Sequence, residues 1–117
     1  MTKDLYVIQM AVTGDLKIGR SKNVGNRLKQ LQTGAPHRLK IILVAKGQGH
    51  RERKLHQALR TYRNRGQRGE WFSEEAFGSI PVDLYDMIPV EVLDDPDWWK
   101  KPYNQNQGGL VSSITTS

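Results

Sequence analysis

The stretch LYVIQMAVTGDLKIG, residues 5–19, decides the fold. Two apolar-rich runs flank a Gly-Asp turn signal at residues 14–15, and such a pair reads as a β-hairpin. A four-residue loop over residues 11–14 sets Met10 opposite Asp15 and Tyr6 opposite Gly19. Side chains alternate along a strand, so Leu5, Val7, Leu16 and Ile18 share one face. Tyr6 and Lys17 share the other as diagonal cross-strand neighbours. The apolar set is expected in the core, with Tyr6 and Lys17 looking out of the same side of the sheet.

Working outward, SKNVGNRLKQLQTGAP (residues 21–36) reads as a helix. Ser21 or Asn23 serves as N-cap, Val24, Leu28 and Leu31 recur at i, i+4, i+7, and Gly34 and Pro36 end it. Arg27 lies beside that stripe. LKIILVA (residues 39–45) is rich in branched residues and is expected to be a buried third strand. A second helix spans residues 49–62, with Leu55, Leu59 and Tyr62 inward and Glu52, His56 and Arg60 on an adjacent polar stripe. NRGQRG leads into EWF, a short extended piece, and Ser73 is placed to cap a brief turn over residues 74–77.

Beyond Gly78 the chain turns acidic, with prolines at 81, 89, 96 and 102. Residues 79–103 read as an irregular extension, with one short helix near 82–87 setting Leu84 or Tyr85 on the core. NQNQGGLVSSITTS (residues 104–117) has little to bury and is expected to be a disordered tail.

The chain has 117 residues and no cysteine, which suits one domain and excludes disulfides, thiol catalysis and thiolate zinc sites. No apolar run is long enough to span a membrane. MTKDLYVIQM enters its strand pattern without the apolar block of a signal peptide, so a cytoplasmic location is expected. Residues 1–72 carry 16 Lys and Arg against four acids, a local charge of +12, and the remainder carries −6. A field of that sign concentrates polyanions, and nucleic acid is the expected partner. Gly47 and Gly49 fit no dinucleotide fingerprint or phosphate loop, the three histidines lack metalloprotease spacing, and no serine sits in a nucleophile elbow.

The ordered set DLYVI, LKIGRS, NVGNRLKQLQTG, RERKLHQAL and RGEWFS, over residues 4–77, resembles the GIY-YIG nuclease superfamily. The likeness is to its phage- and bacterium-associated branch, whose second motif reads KIG. Asp4 and Leu5 depart from the Gly-Ile of the family name, and Lys17 stands in place of the second tyrosine, as is usual in that branch. The resemblance implies an α+β fold over residues 1–78, a small three-stranded antiparallel sheet flanked by helices. It also implies a metal-dependent endonuclease that hydrolyses phosphodiester bonds in DNA. Glu52 would hold a single divalent cation, Arg27 would contact the scissile phosphate, and Tyr6 would orient or deprotonate the attacking water.

Elementary chemistry runs beside that reading. Phosphodiester hydrolysis develops negative charge on phosphoryl and leaving oxygens, which a hard cation on a carboxylate and a guanidinium offset. One anionic ligand leaves water and phosphate oxygens in the shell, as Mg²⁺ (or Mn²⁺) prefers. Lys17 beside Tyr6 suits a phenol asked to act as a base. His56 is placed to hydrogen-bond Glu52 or phosphate. Glu70, with Trp71 and Phe72, closes the core and is placed to hold a basic neighbour such as Arg27. Arg20, Lys22, Arg51, Arg53, Lys54, Arg60, Arg63, Arg65 and Arg68 form the set from which phosphate contacts are drawn. No sequence-reading element is present, so little intrinsic specificity is expected.

The same residues have plainer uses. Glu52 can pair with His56 or Arg60 along its helix, Arg27 can be a solvated charge, Tyr6 a strand aromatic, and Trp98 and Trp99 a cover for an apolar edge. The rival functional readings are a nucleic-acid-binding module without turnover, and an interaction protein whose acidic C-terminus docks on a basic partner or on its own active face. The nuclease reading requires Tyr6, Lys17, Arg27 and Glu52 to meet in one shallow basic cleft.

Overall fold

The computed structural model describes residues 2–63 and 71–100. Strands β1 (Asp4–Met10) and β2 (Leu16–Ser21) form the hairpin, with Tyr6 opposite Gly19, and the Met10 N–H donates to Asp15 O at 2.9 Å. Strand β3 (Leu39–Ala45) pairs antiparallel with the far side of β1. The sheet has four strands, not three: Trp71–Phe72, β4, pairs antiparallel with β2 through Leu16 and Lys17, giving the order β3-β1-β2-β4. The short extended piece read at EWF is this strand. Its two residues make a pairing too brief to announce itself as a sheet member in the sequence.

Both faces of the sheet are covered. Helix α1 (Val24–Thr33) is capped by the Asn23 side chain, which accepts from the Asn26 N–H. Its stripe of Val24, Leu28 and Leu31 lies over Tyr6, Ile8, Met10 and Leu39. The second helix breaks into three pieces where one was expected. A 3-10 turn (Gly49–Arg51) enters α2 (Glu52–Ala58), and a second 3-10 turn (Arg60–Tyr62) follows Leu59. Leu55 and Leu59 still face inward, against Leu5, Val7, Leu16 and Ile18 on the opposite face from α1. Between Val7 and Ile8 the β1–β3 register slips by a bulge, which lets consecutive Ile42 and Leu43 both join this second core.

The acidic stretch extends that same core. A 3-10 turn (Glu74–Ser79) precedes α3 (Val82–Tyr85) and α4 (Val90–Asp94), and a last 3-10 turn covers Trp98–Lys100. Ile80, Leu84, Ile88 and Val92 are buried among the α2-side core residues, with Tyr85 packed against them. Prolines 81 and 89 sit immediately before α3 and α4, where a missing N–H costs nothing. Trp98 donates through Nε1 to Gln9 Oε1 at 2.8 Å and Trp99 O accepts from the Val12 N–H at 2.7 Å, so the two indoles close over the hairpin end. No described helix is long and apolar enough to cross a membrane. The expected tail at 104–117 lies outside the described residues.

Candidate active site

Strand β2 organises the candidate residues. Cross-strand partners share a face, so the pairing Leu5–Arg20 sends Arg20 to the α2 side, while Ile8–Lys17 sends Lys17 to the α1 side with Tyr6. Tyr6 is only 2% exposed. Its ring crosses Gly19, where an added Cβ would lie 2.5 Å from Cζ and closer still to the hydroxyl. That hydroxyl has no hydrogen-bond partner among the described residues, whereas buried phenols ordinarily find one. Lys17 is buried as well, with its ammonium 5.9 Å from the centre of the Trp71 ring.

On the other side of β2, α2 presents Glu52 and His56. The His56 Nε2–H donates to Ile18 O at 2.7 Å, and its ring meets Phe72 edge-on at 5.2 Å. The strand carbonyl can only accept, so this bond places the proton on Nε2. Glu52 Oε1 lies 3.2 Å from Arg20 Nε, and Oε2 lies 3.9 Å from His56 Nε2, beyond hydrogen-bond reach. The Arg20–Glu52 pair is open to water, with the Arg20 side chain 51% exposed. An exposed pair of this kind contributes at most about 1 kcal/mol, so it does not lock the carboxylate.

The proposed residues therefore divide between two faces of one strand segment, and the single shallow cleft expected to gather Tyr6, Lys17, Arg27 and Glu52 is not what the structure shows. Tyr6 and Lys17 approach Gly19 and Ile18 from the α1 side; Glu52 and His56 approach from the α2 side. Arg27, on α1, donates through Nη1 to Gln30 Oε1 at 3.2 Å and is half-buried. Of the expected phosphate contacts, Lys22, Arg53, Lys54 and Arg60 are exposed, as is Arg63, which bridges to Phe72. Arg51 is turned elsewhere: its two Nη atoms clasp Asp83 of α3 at 2.7 and 3.2 Å. Those donors hold the Asp83 carboxyl below the usual carboxylate range. Glu70, Arg65 and Arg68 lie outside the described residues.

Two contacts escaped the sequence reading. Arg20, assigned to phosphate, is also the cross-element partner of Glu52; the hairpin register already put it on the α2 face beside Leu5 and Ile18. The Lys17–Trp71 contact depended on pairing a two-residue strand. Among the described residues no group of three His, Cys, Asp or Glu could hold a metal. A cation at Glu52 would have one protein carboxylate, with water or substrate completing its shell, a donor set that suits Mg²⁺.

No curated protein and no solved structure matches the chain. A family model does match, from the first residue of the hairpin's apolar run through the acidic helices. With residues 5–95 aligned to the T5orf172 domain, the chain belongs to the T5orf172 domain family, which is associated with nuclease-like proteins.

Proposed function

We propose that this chain is a metal-dependent DNA endonuclease of the GIY-YIG type. The observation that carries the reading is Tyr6: a buried phenol with an unpartnered hydroxyl, laid across the one residue of β2 that has no side chain to obstruct it. Burying such a group without a partner costs free energy, roughly 1–3 kcal/mol, which a purely structural aromatic would avoid as phenylalanine. Glu52 and His56 attach to the same segment, Ile18–Arg20, from the opposite face.

In the reaction a water oxygen bonds to phosphorus, the P–O bond to the leaving sugar oxygen breaks, the attacking water gives up a proton to solvent, and the leaving oxygen takes one up from solvent to become a hydroxyl. The Tyr6 hydroxyl orients that water and takes part in moving its proton. Arg27 donates to a non-bridging oxygen, exchanging Gln30 for substrate. Glu52 would hold Mg²⁺ or Mn²⁺, which would supply positive charge to the phosphoryl oxygens when bound. Lys17 keeps a cation on the Tyr6 side of the sheet, and the His56 bond to Ile18 fixes α2, and with it Glu52, against β2. The basic N-terminal portion draws in the DNA backbone.

A second reading, DNA binding without turnover, is favoured by one observation: Glu52 and Tyr6 occupy opposite faces of β2, and Arg20 already engages the carboxylate. A plasmid-nicking assay with and without Mg²⁺, run beside Glu52→Gln, separates the two. The nuclease reading expects metal-dependent nicking by the parent and a loss of about 100-fold or more in the variant. Binding without nicking by the parent in Mg²⁺ and in Mn²⁺ selects the second reading.

A further inference from the structure

A cavity of about 250 Å³ is lined by Thr2, Lys3, Gly47, Gly49, His50 and Arg20, the residue that pairs with Glu52. It is far larger than the roughly 30 Å³ a water occupies in the liquid. Two hydrogen bonds brace it: the Gly47 N–H donates at 2.9 Å to the Asp4 side-chain carboxylate, which sits behind the wall, and the Gly49 N–H donates to Lys3 O at 2.8 Å. This pins the start of β1 against the turn after β3. A Cβ at position 49 would lie 2.7 Å from Lys3 O, so any larger residue there would push the wall apart. The lining has one lysine, one arginine, one histidine and one hydroxyl, and no acid. Lys3 and His50 have no ion pair or side-chain hydrogen bond among the described residues. Arg20 spends Nε on Glu52, and its remaining guanidinium donors are available for a second acceptor.

We propose that this cavity is a phosphate subsite for the DNA backbone, holding a phosphodiester that neighbours the one to be cut. The proposal rests on the nuclease reading for what happens next door, while the subsite itself requires only DNA binding. Arg20 connects the two, touching the candidate metal carboxylate and lining the cavity. A substrate seated there is gripped on Lys3, His50 and Arg20 before the neighbouring bond is brought to Glu52.

The test uses the full chain and the Lys3→Ala/His50→Ala double variant, both exposed positions whose loss leaves the core intact. Affinity for a short DNA duplex is measured in EDTA across a salt series, and inorganic phosphate is titrated while the Gly47 and Gly49 amide resonances are followed. The expected result is a slope of log affinity against log salt that falls by about one in the variant, the value of one lost phosphate contact. Phosphate should shift the two amides in the parent and not in the variant. An unchanged slope overturns the proposal, and amide shifts with an unchanged slope reduce the cavity to a free-anion site. A changed slope in a chain that nicks no plasmid leaves the subsite standing and removes the nuclease reading. Absence of DNA binding by the parent removes both.

Discussion

Tyr6 lies directly opposite Gly19 in the β1–β2 ladder, and the phenol occupies the space where a side chain at position 19 would stand. Gly19→Ala therefore forces the ring or the strand to move. Overpacking of this kind costs about 1–3 kcal/mol, and the hydroxyl loses its place as well. Denaturant unfolding should report the stability loss, and nicking should fall with it.

Tyr6→Phe separates structure from chemistry. The hydroxyl makes no hydrogen bond to another described residue, so removing it sacrifices no native bond, and stability should hold or rise slightly. Cleavage should fall by about 10²- to 10⁴-fold if the hydroxyl handles a proton. A variant that loses stability while nicking at the parent rate would make Tyr6 a packing residue.

These two variants also mark what the sequence could and could not disclose. The Tyr6–Gly19 register followed from loop length and alternation alone, because a period of two leaves one face or the other for every residue. The stripes of α1 and α2 followed from spacing. The division of Tyr6 and Glu52 between opposite faces was not legible, since helix periodicity says which residues face inward and not which side of the sheet the helix covers. The Ile42–Leu43 bulge was hidden for a related reason: an uninterrupted apolar run carries no alternation to break. The Arg51–Asp83 pair was hidden because the partners are 32 residues apart and charge counts hold no distances.

His56→Ala should be costly. It removes the side-chain hydrogen bond that ties α2 to the β2 backbone at Ile18 O and opens space beside Phe72. Loss of a hydrogen bond at a part-buried carbonyl contributes about 1–3 kcal/mol. Nicking should decline through displacement of Glu52, and His56→Gln, which can still donate to the carbonyl, should recover part of both properties.

The Arg51–Asp83 clasp gives a pH signature. The Asp83 carboxyl is held low by the Arg51 donors. Its stabilising contribution is therefore present above the ordinary carboxylate range, about 4, and is lost as pH falls through the lowered folded value. Asp83→Asn should unfold at slightly lower temperature than the parent near neutral pH, with the gap closing in strong acid and in high salt. The same substitution frees Arg51 and deletes a negative charge, so affinity for DNA at low salt should rise.

Truncation after Gly78 also removes the acidic charge, yet it should give a different answer. Ile80, Leu84, Ile88 and Val92 are buried in the core that α2 shares with β1 and β2. Each such side chain contributes about 1.5–3 kcal/mol on burial, and four of them rival the roughly 5–15 kcal/mol that holds a domain together. The truncated chain should fail to show a cooperative melt by circular dichroism, and its DNA affinity would then describe an unfolded polycation. Relief of charge is readable only in Asp83→Asn, where the hydrophobic attachment of the segment survives. A truncated chain that melts cooperatively near the parent temperature would show that the acidic segment leans on the domain without supporting it.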